Sequence, residues 1–114
     1  MLVALVAFGF SANATETSTC QVRNAPGACI TVRVGFTGTG MSGHQVMAIR
    51  AEGINLRSGT AEVVVRYRRP NGSEGRVERI VQLQNNRQIG GANFNMESGS
   101  TITSVEITSA QGQS

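Results

Sequence analysis

His44 is the one residue of this chain suited to general acid–base work near neutral pH. It follows the glycine-rich stretch TGTGMSG, Thr37 to Gly43, and stands beside Ser42 and Gln45, so a Ser-His-Glu arrangement with Ser42 as nucleophile can be drawn. A lone histidine in a polar turn is ordinarily solvated, however, and neither a GxSxG elbow nor a metal-ligand cluster accompanies it. No catalytic residue, metal site or cofactor is predicted. The charge inventory narrows the chemistry further, with ten Arg and no Lys, and seven Glu and no Asp. A Schiff-base lysine, a P-loop lysine and an Asp-completed triad are therefore impossible.

Cys20 and Cys29 are separated by eight residues, which fits neither a zinc spacing nor a Cys-x-x-Cys motif. An even cysteine count in an exported domain reads as a disulfide, and the intervening Asn24-Ala25-Pro26-Gly27 supplies the turn that lets the two meet. Closing so short a loop is worth roughly 2–3 kcal/mol in the chain-entropy account.

The arginines are the remaining candidates. Arg66, Arg68, Arg69, Arg76 and Arg79 crowd one predicted hairpin, countered there by Glu62, Glu74 and Glu78. Strand alternation puts Arg66 and Arg68 on one exposed face with Glu78 across from them. That face reads either as a solvated surface whose cross-strand ion pairs guard an edge strand, or as a basic strip that steers an acidic partner. Nucleic acid is not the expected partner. After residue 14 the aromatics are Phe36, Tyr67 and Phe94, all on predicted core faces, which leaves no stacking platform.

The elements that must position these residues are strands. Met1 to Ala14, MLVALVAFGFSANA, is an apolar run closed by a small-x-small site and reads as a secretory signal peptide. No Lys or Arg precedes the run, so a hydrophobic N-terminal strand is the rival reading. Residues 15–114 are then one exported domain, periplasmic or secreted, with no membrane insertion once the signal is removed.

From Cys29 to Phe36 the alternation puts Ile30, Val32, Val34 and Phe36 on one face. Met47, Ile49 and Ala51 share a face, and the phase slips at Gly53 so that Ile54 and Leu56 carry it on, which predicts a bulge or a break. Ala61 to Arg69 places Val63, Val65 and Tyr67 inward and Val64 outward. PNGSEG then turns the chain, and Val81 and Leu83 return to the core, while the pattern does not place Ile80. Phe94 and Met96 mark a further strand, Val105 and Ile107 are the inward residues of the last one, and the polar tail from Ala110 reads as frayed. About seven strands with turn signals every 8–12 residues predict an all-β, immunoglobulin-like antiparallel β-sandwich.

Read from Gly43 to Ser114, the chain resembles the small periplasmic curli-assembly proteins that keep amyloid subunits from polymerising early. The resemblance rests on the order and spacing of GHQVMAIRAEGINL, AEVVVRYRRPNGSEG, RIVQLQNNRQI and ANFNMESGSTITSVEITSAQGQS. It implies a small immunoglobulin-like sandwich that inhibits a curli-type subunit substoichiometrically, without ATP or cofactor, through exposed strand edges and a charged face. One branch of that family carries Cys-x-Cys where this chain has Thr60-Ala61-Glu62, so no redox role carries over. Two other readings stand beside it. The chain is a filament or adhesin subunit whose retained N-terminal segment donates a strand to a neighbour, or an enzyme or small-ligand binder, for which no polar constellation speaks.

Overall fold

A computed structural model describes residues 15–40 and 43–114. The segment read as a signal peptide, Met1 to Ala14, and the candidate nucleophile Ser42 lie outside the described residues. Among the described residues eight strands follow in order: β1 (Glu16–Thr19), β2 (Cys29–Thr39), β3 (His44–Ile54), β4 (Ser58–Arg68), β5 (Glu74–Gln84), β6 (Arg87–Ile89), β7 (Asn93–Glu97) and β8 (Thr101–Gln113). All strand pairs are antiparallel, in the order β1-β2-β3-β6-β5-β4-β8, with β7 also on β3.

This is the expected all-β, immunoglobulin-like sandwich. One layer is β1-β2-β3-β7 and the other β6-β5-β4-β8. They are joined on one side by the single pair Glu52–Arg87 between β3 and β6, and on the other by a parallel bridge from Arg23 to Gln111 of β8. The layers are thereby drawn almost into a closed barrel.

The core lies between the layers. Ile30, Val32, Ile49, Val63, Val65, Val81 and Leu83 are the largest fully buried side chains. Each sits on the inward parity of its strand, as period-2 alternation requires. Tyr67 of β4 stacks on Phe94 of β7 across the sandwich, ring centroids 6.4 Å apart.

The turns follow their local chemistry. Asn85 and Asn86 both take positive φ, 51° and 69°, and close the two-residue loop between paired Gln84 and Arg87, which is what a mirror-image hairpin turn needs. In PNGSEG, Arg69 N–H donates to Ser73 O, the Asn71 side chain accepts from Ser73 N–H, and Gly72 takes φ 89°.

Several expectations are corrected. Phe36 is 60 % exposed, not core. β1 pairs with β2 only as far as Arg33, so Phe36 lies past the last described neighbour on that side, and the register shifts between Phe36 and Gly38. Gly53 marks neither a bulge nor a break, because β3 pairs with β2 without interruption from Ala48 through Ile54. The glycine instead makes room for Leu56, as a Cβ at Gly53 would stand 2.9 Å from Leu56 Cδ2. Leu56 is buried, and Ile54, expected beside it, is 60 % exposed.

The last strand also differs. The tail is not frayed; β8 continues to Gln113, and Ala110 is buried. The eleven-residue β4 offers partners as far as Ser58, which pairs with Gln113. Register shifts in β8 leave Val105 and Ile107 only partly buried and turn Ile102 and Ala110 inward.

Candidate functional site

The five arginines of the hairpin do not form one strip. In register, the outward face of β5, β4 and β8 reads Glu74–Arg68–Thr101, then Arg76–Arg66–Ser104, then Glu78–Val64–Glu106, then Ile80–Glu62–Ser109. Glu78 therefore stands opposite Val64, and it is Arg76 that stands opposite Arg66, a correction to the alignment expected from the sequence. Arg66 is ion-paired to Glu106 at 3.1 Å and Arg76 to Glu78 at 2.5 Å. Arg66, Arg68 and Arg76 are matched on this face by Glu62, Glu74, Glu78 and Glu106, so the face has no basic excess. Val64 is buried although it points outward.

Arg69 and Arg79 leave that face. The Arg69 guanidinium sits over the Tyr67 ring, 5.3 Å from its centroid, bonds Glu97 at 2.9 Å and donates to Glu74 O at 2.7 Å. Arg79 donates to the carbonyls of Asn93 and Glu78. Both guanidinium groups are thus spent on holding the chain. Arg68, exposed and with no ion pair among the described residues, is the member of the set most free to meet a partner.

His44 opens β3 opposite Glu97 and is half-buried. Among the described residues no group of three or more His, Cys, Asp and Glu is placed to hold a metal ion. On the first layer, Glu16 accepts from Arg33 Nε at 2.6 Å, and this hydrogen bond and charge hold the Arg33 pKa above its ordinary value.

Cys20 and Cys29 are joined in a disulfide, as an oxidising compartment allows. The loop it closes turns Val22, Ala25 and Ala28 into the core. Its Arg23 donates N–H to Ala110 O and accepts from Gly112 N–H, both at 2.9 Å. The disulfide loop thus clasps the end of β8.

Two surfaces escape a reading for charge. One is the outer edge of β8, which among the described residues is paired to no strand from Ile102 to Ser109, although β1 stands close to it; the Arg23 clasp begins only at Ala110. The other is a groove of about 490 Å³ on the outer face of β4, beyond the charged rows, lined by Ser58, Thr60, Gln82, Gln84, Gln111 and Gln113. The signal for it was in the sequence as QLQ and QGQ, glutamines two apart and hence on one face, but only strand pairing brings the two pairs to either side of β4. Comparison of the chain with protein-family models, with curated proteins and with solved structures finds no match to any of them.

Proposed function

We propose that this chain is an exported, non-enzymatic chaperone of the periplasm or the secreted space that binds curli-type amyloid subunits and restrains their polymerisation. The observation that carries the reading is the outer edge of β8 from Ile102 to Ser109, which has no ladder partner among the described residues, β1 standing near it without pairing. Unpaired backbone N–H and C=O groups along a strand edge are a template for an incoming strand. Alternate side chains beside such an edge give it a second point of grip, and Val105 and Ile107, partly buried at the core margin, are placed to do this. A growing amyloid end presents the complementary strand, so transient pairing would occupy it without any covalent step. The resemblance over Gly43 to Ser114 supports the same reading, as does the disulfide for an exported location.

The test is polymerisation of a curli-type subunit followed by dye fluorescence, with the protein added at a small fraction of the subunit concentration. A lengthened lag is expected. An unchanged lag, with the protein shown to be folded by circular dichroism, would sink the proposal.

The same open edge favours one alternative, a filament or adhesin subunit that receives a donor strand from another copy. N-terminal sequencing of the native protein separates the two, because a start at Thr15 removes the donor.

A further inference from the structure

The groove on the second layer is organised around β4. Its half-buried floor is Ser58 and Thr60, and its walls are Gln84 and Gln82 of β5 on one side and Gln113 and Gln111 of β8 on the other. Register makes these two complete rows, Gln84–Ser58–Gln113 and Gln82–Thr60–Gln111. With strands about 4.8 Å apart, the two walls stand about 10 Å from each other, and the rows repeat every two residues, about 6.8 Å along β4. Those are the dimensions of a trough for one extended chain, whose same-face side chains recur at the same interval.

The chemistry is equally specific. No residue lining the groove carries a charge. The four glutamine amides and the hydroxyls of Ser58 and Thr60 make no side-chain hydrogen bond to the rest of the described protein. Each amide both donates and accepts. Ile89, in register with Gln82, is 48 % exposed on the β5 side of the groove, and Ile80, next along β5, is 63 % exposed. A charged occupant would give up hydration for no counter-charge, whereas an amide from an occupant meets amides on both walls. A sugar chain is less well served, because both Tyr67 and Phe94 are buried and the groove has no aromatic face.

We infer that this groove is a docking site for an extended, uncharged segment rich in Gln and Asn, laid along β4 with its amides between the two glutamine walls. The inference rests on the chaperone reading and adds to it a side-chain site separate from the β8 edge, one that selects the client by composition.

The experiment titrates the isotope-labelled full-chain protein with a synthetic peptide of alternating Gln and Ser, and with the same peptide carrying Glu for Gln, following backbone and side-chain amide resonances. Expected are shifts at the NH2 groups of Gln82, Gln84, Gln111 and Gln113 with the first peptide. The double variant Gln82→Glu, Gln111→Glu should raise its Kd about tenfold, while Arg50→Glu, exposed on β3 of the other layer, leaves the Kd unchanged. All substituted positions are exposed, so the variants fold. Shifts confined to β8 from Ile102 to Ser109, an unchanged Kd in the double variant, or shifts with a neutral oligosaccharide instead of the peptide would each overturn the groove assignment. The chaperone reading fails separately. Peptide binding at the groove with no effect on the polymerisation lag removes the chaperone and keeps the groove; a lengthened lag with no shift at the four glutamines does the reverse.

Discussion

The ring of Tyr67 occupies the space that a side chain at Gly75 would need. The two residues face each other across the β4–β5 ladder, and a Cβ at Gly75 would stand 2.6 Å from Tyr67 Cε2 and 2.7 Å from its hydroxyl oxygen. The ring in turn carries the Arg69 guanidinium on one side and Phe94 across the sandwich. One absent methyl group thus lets the aromatic join the hairpin to β7.

Gly75→Ala is therefore expected to destabilise the fold by about 1–3 kcal/mol, the usual cost of forcing extra volume into a packed site. The urea midpoint measures it. The same substitution made beside Tyr67→Leu should cost clearly less, and equal costs in the two backgrounds would remove the steric account.

Gln88 acts as a piece of strand. Its Oε1 accepts from Ala51 N–H at 2.9 Å and its Nε2 donates to Ile49 O at 3.1 Å, in the gap where β3 passes from β7 to β6. Gln88→Glu keeps the acceptor but turns a carboxylate oxygen toward a carbonyl, and a loss of about 1–3 kcal/mol follows from the unpaired groups. Gln88→Ala should speed hydrogen exchange at Ala51 in particular; exchange as slow as in the parent would show that the amide contributes nothing there.

Reducing the disulfide, or replacing it by Cys20→Ser with Cys29→Ser, should lower stability by about 2–3 kcal/mol. Because the loop clasps β8 through Arg23, the amides of Arg23 and Gly112 should lose exchange protection before those of Val63 and Val65. Uniform loss across all four would mean that the loop and β8 open only with the whole domain.

If an acidic client is steered by the hairpin, Arg68 should matter more than Arg66, which Glu106 already compensates. Arg68→Glu is expected to shorten the polymerisation lag and flatten its salt dependence more than Arg66→Glu does. Inhibition unchanged in the doubly reversed variant would exclude steering by these residues. Neither change should move stability by more than about 1 kcal/mol, the ordinary worth of an exposed ion pair.

The strands themselves were legible in the sequence, because period-2 alternation is a local property: Ile30, Val32, Val34, Val63, Val65, Val81 and Leu83 are buried as their spacing requires. Two of the turns were legible for the same reason, since Asn-Asn and Pro-Asn-Gly bias φ and ψ wherever they occur. The short span between Cys20 and Cys29 likewise made their disulfide readable.

Pairing across strands was not. Alternation says that Arg66 points outward but not whether it meets Glu78 or Arg76, because register is set by the turn and the whole ladder. It counts Phe36 as core because it cannot see where β1 stops, and it takes Gly53 for a break because Leu56, three residues on, fills the space only once the chain has folded back. The same holds for the candidate surfaces. Charge density drew attention to the arginines, yet the glutamates that neutralise them arrive from β5 and β8, and the glutamine groove exists only where QLQ and QGQ, 29 residues apart in the chain, flank the same two residues of β4. The sequence by itself determined the strands, their inward faces and the disulfide, which depend on neighbours in the chain. Tertiary structure alone decided which charges cancel, which edge stays open and which amides line a common trough, because those depend on neighbours in space.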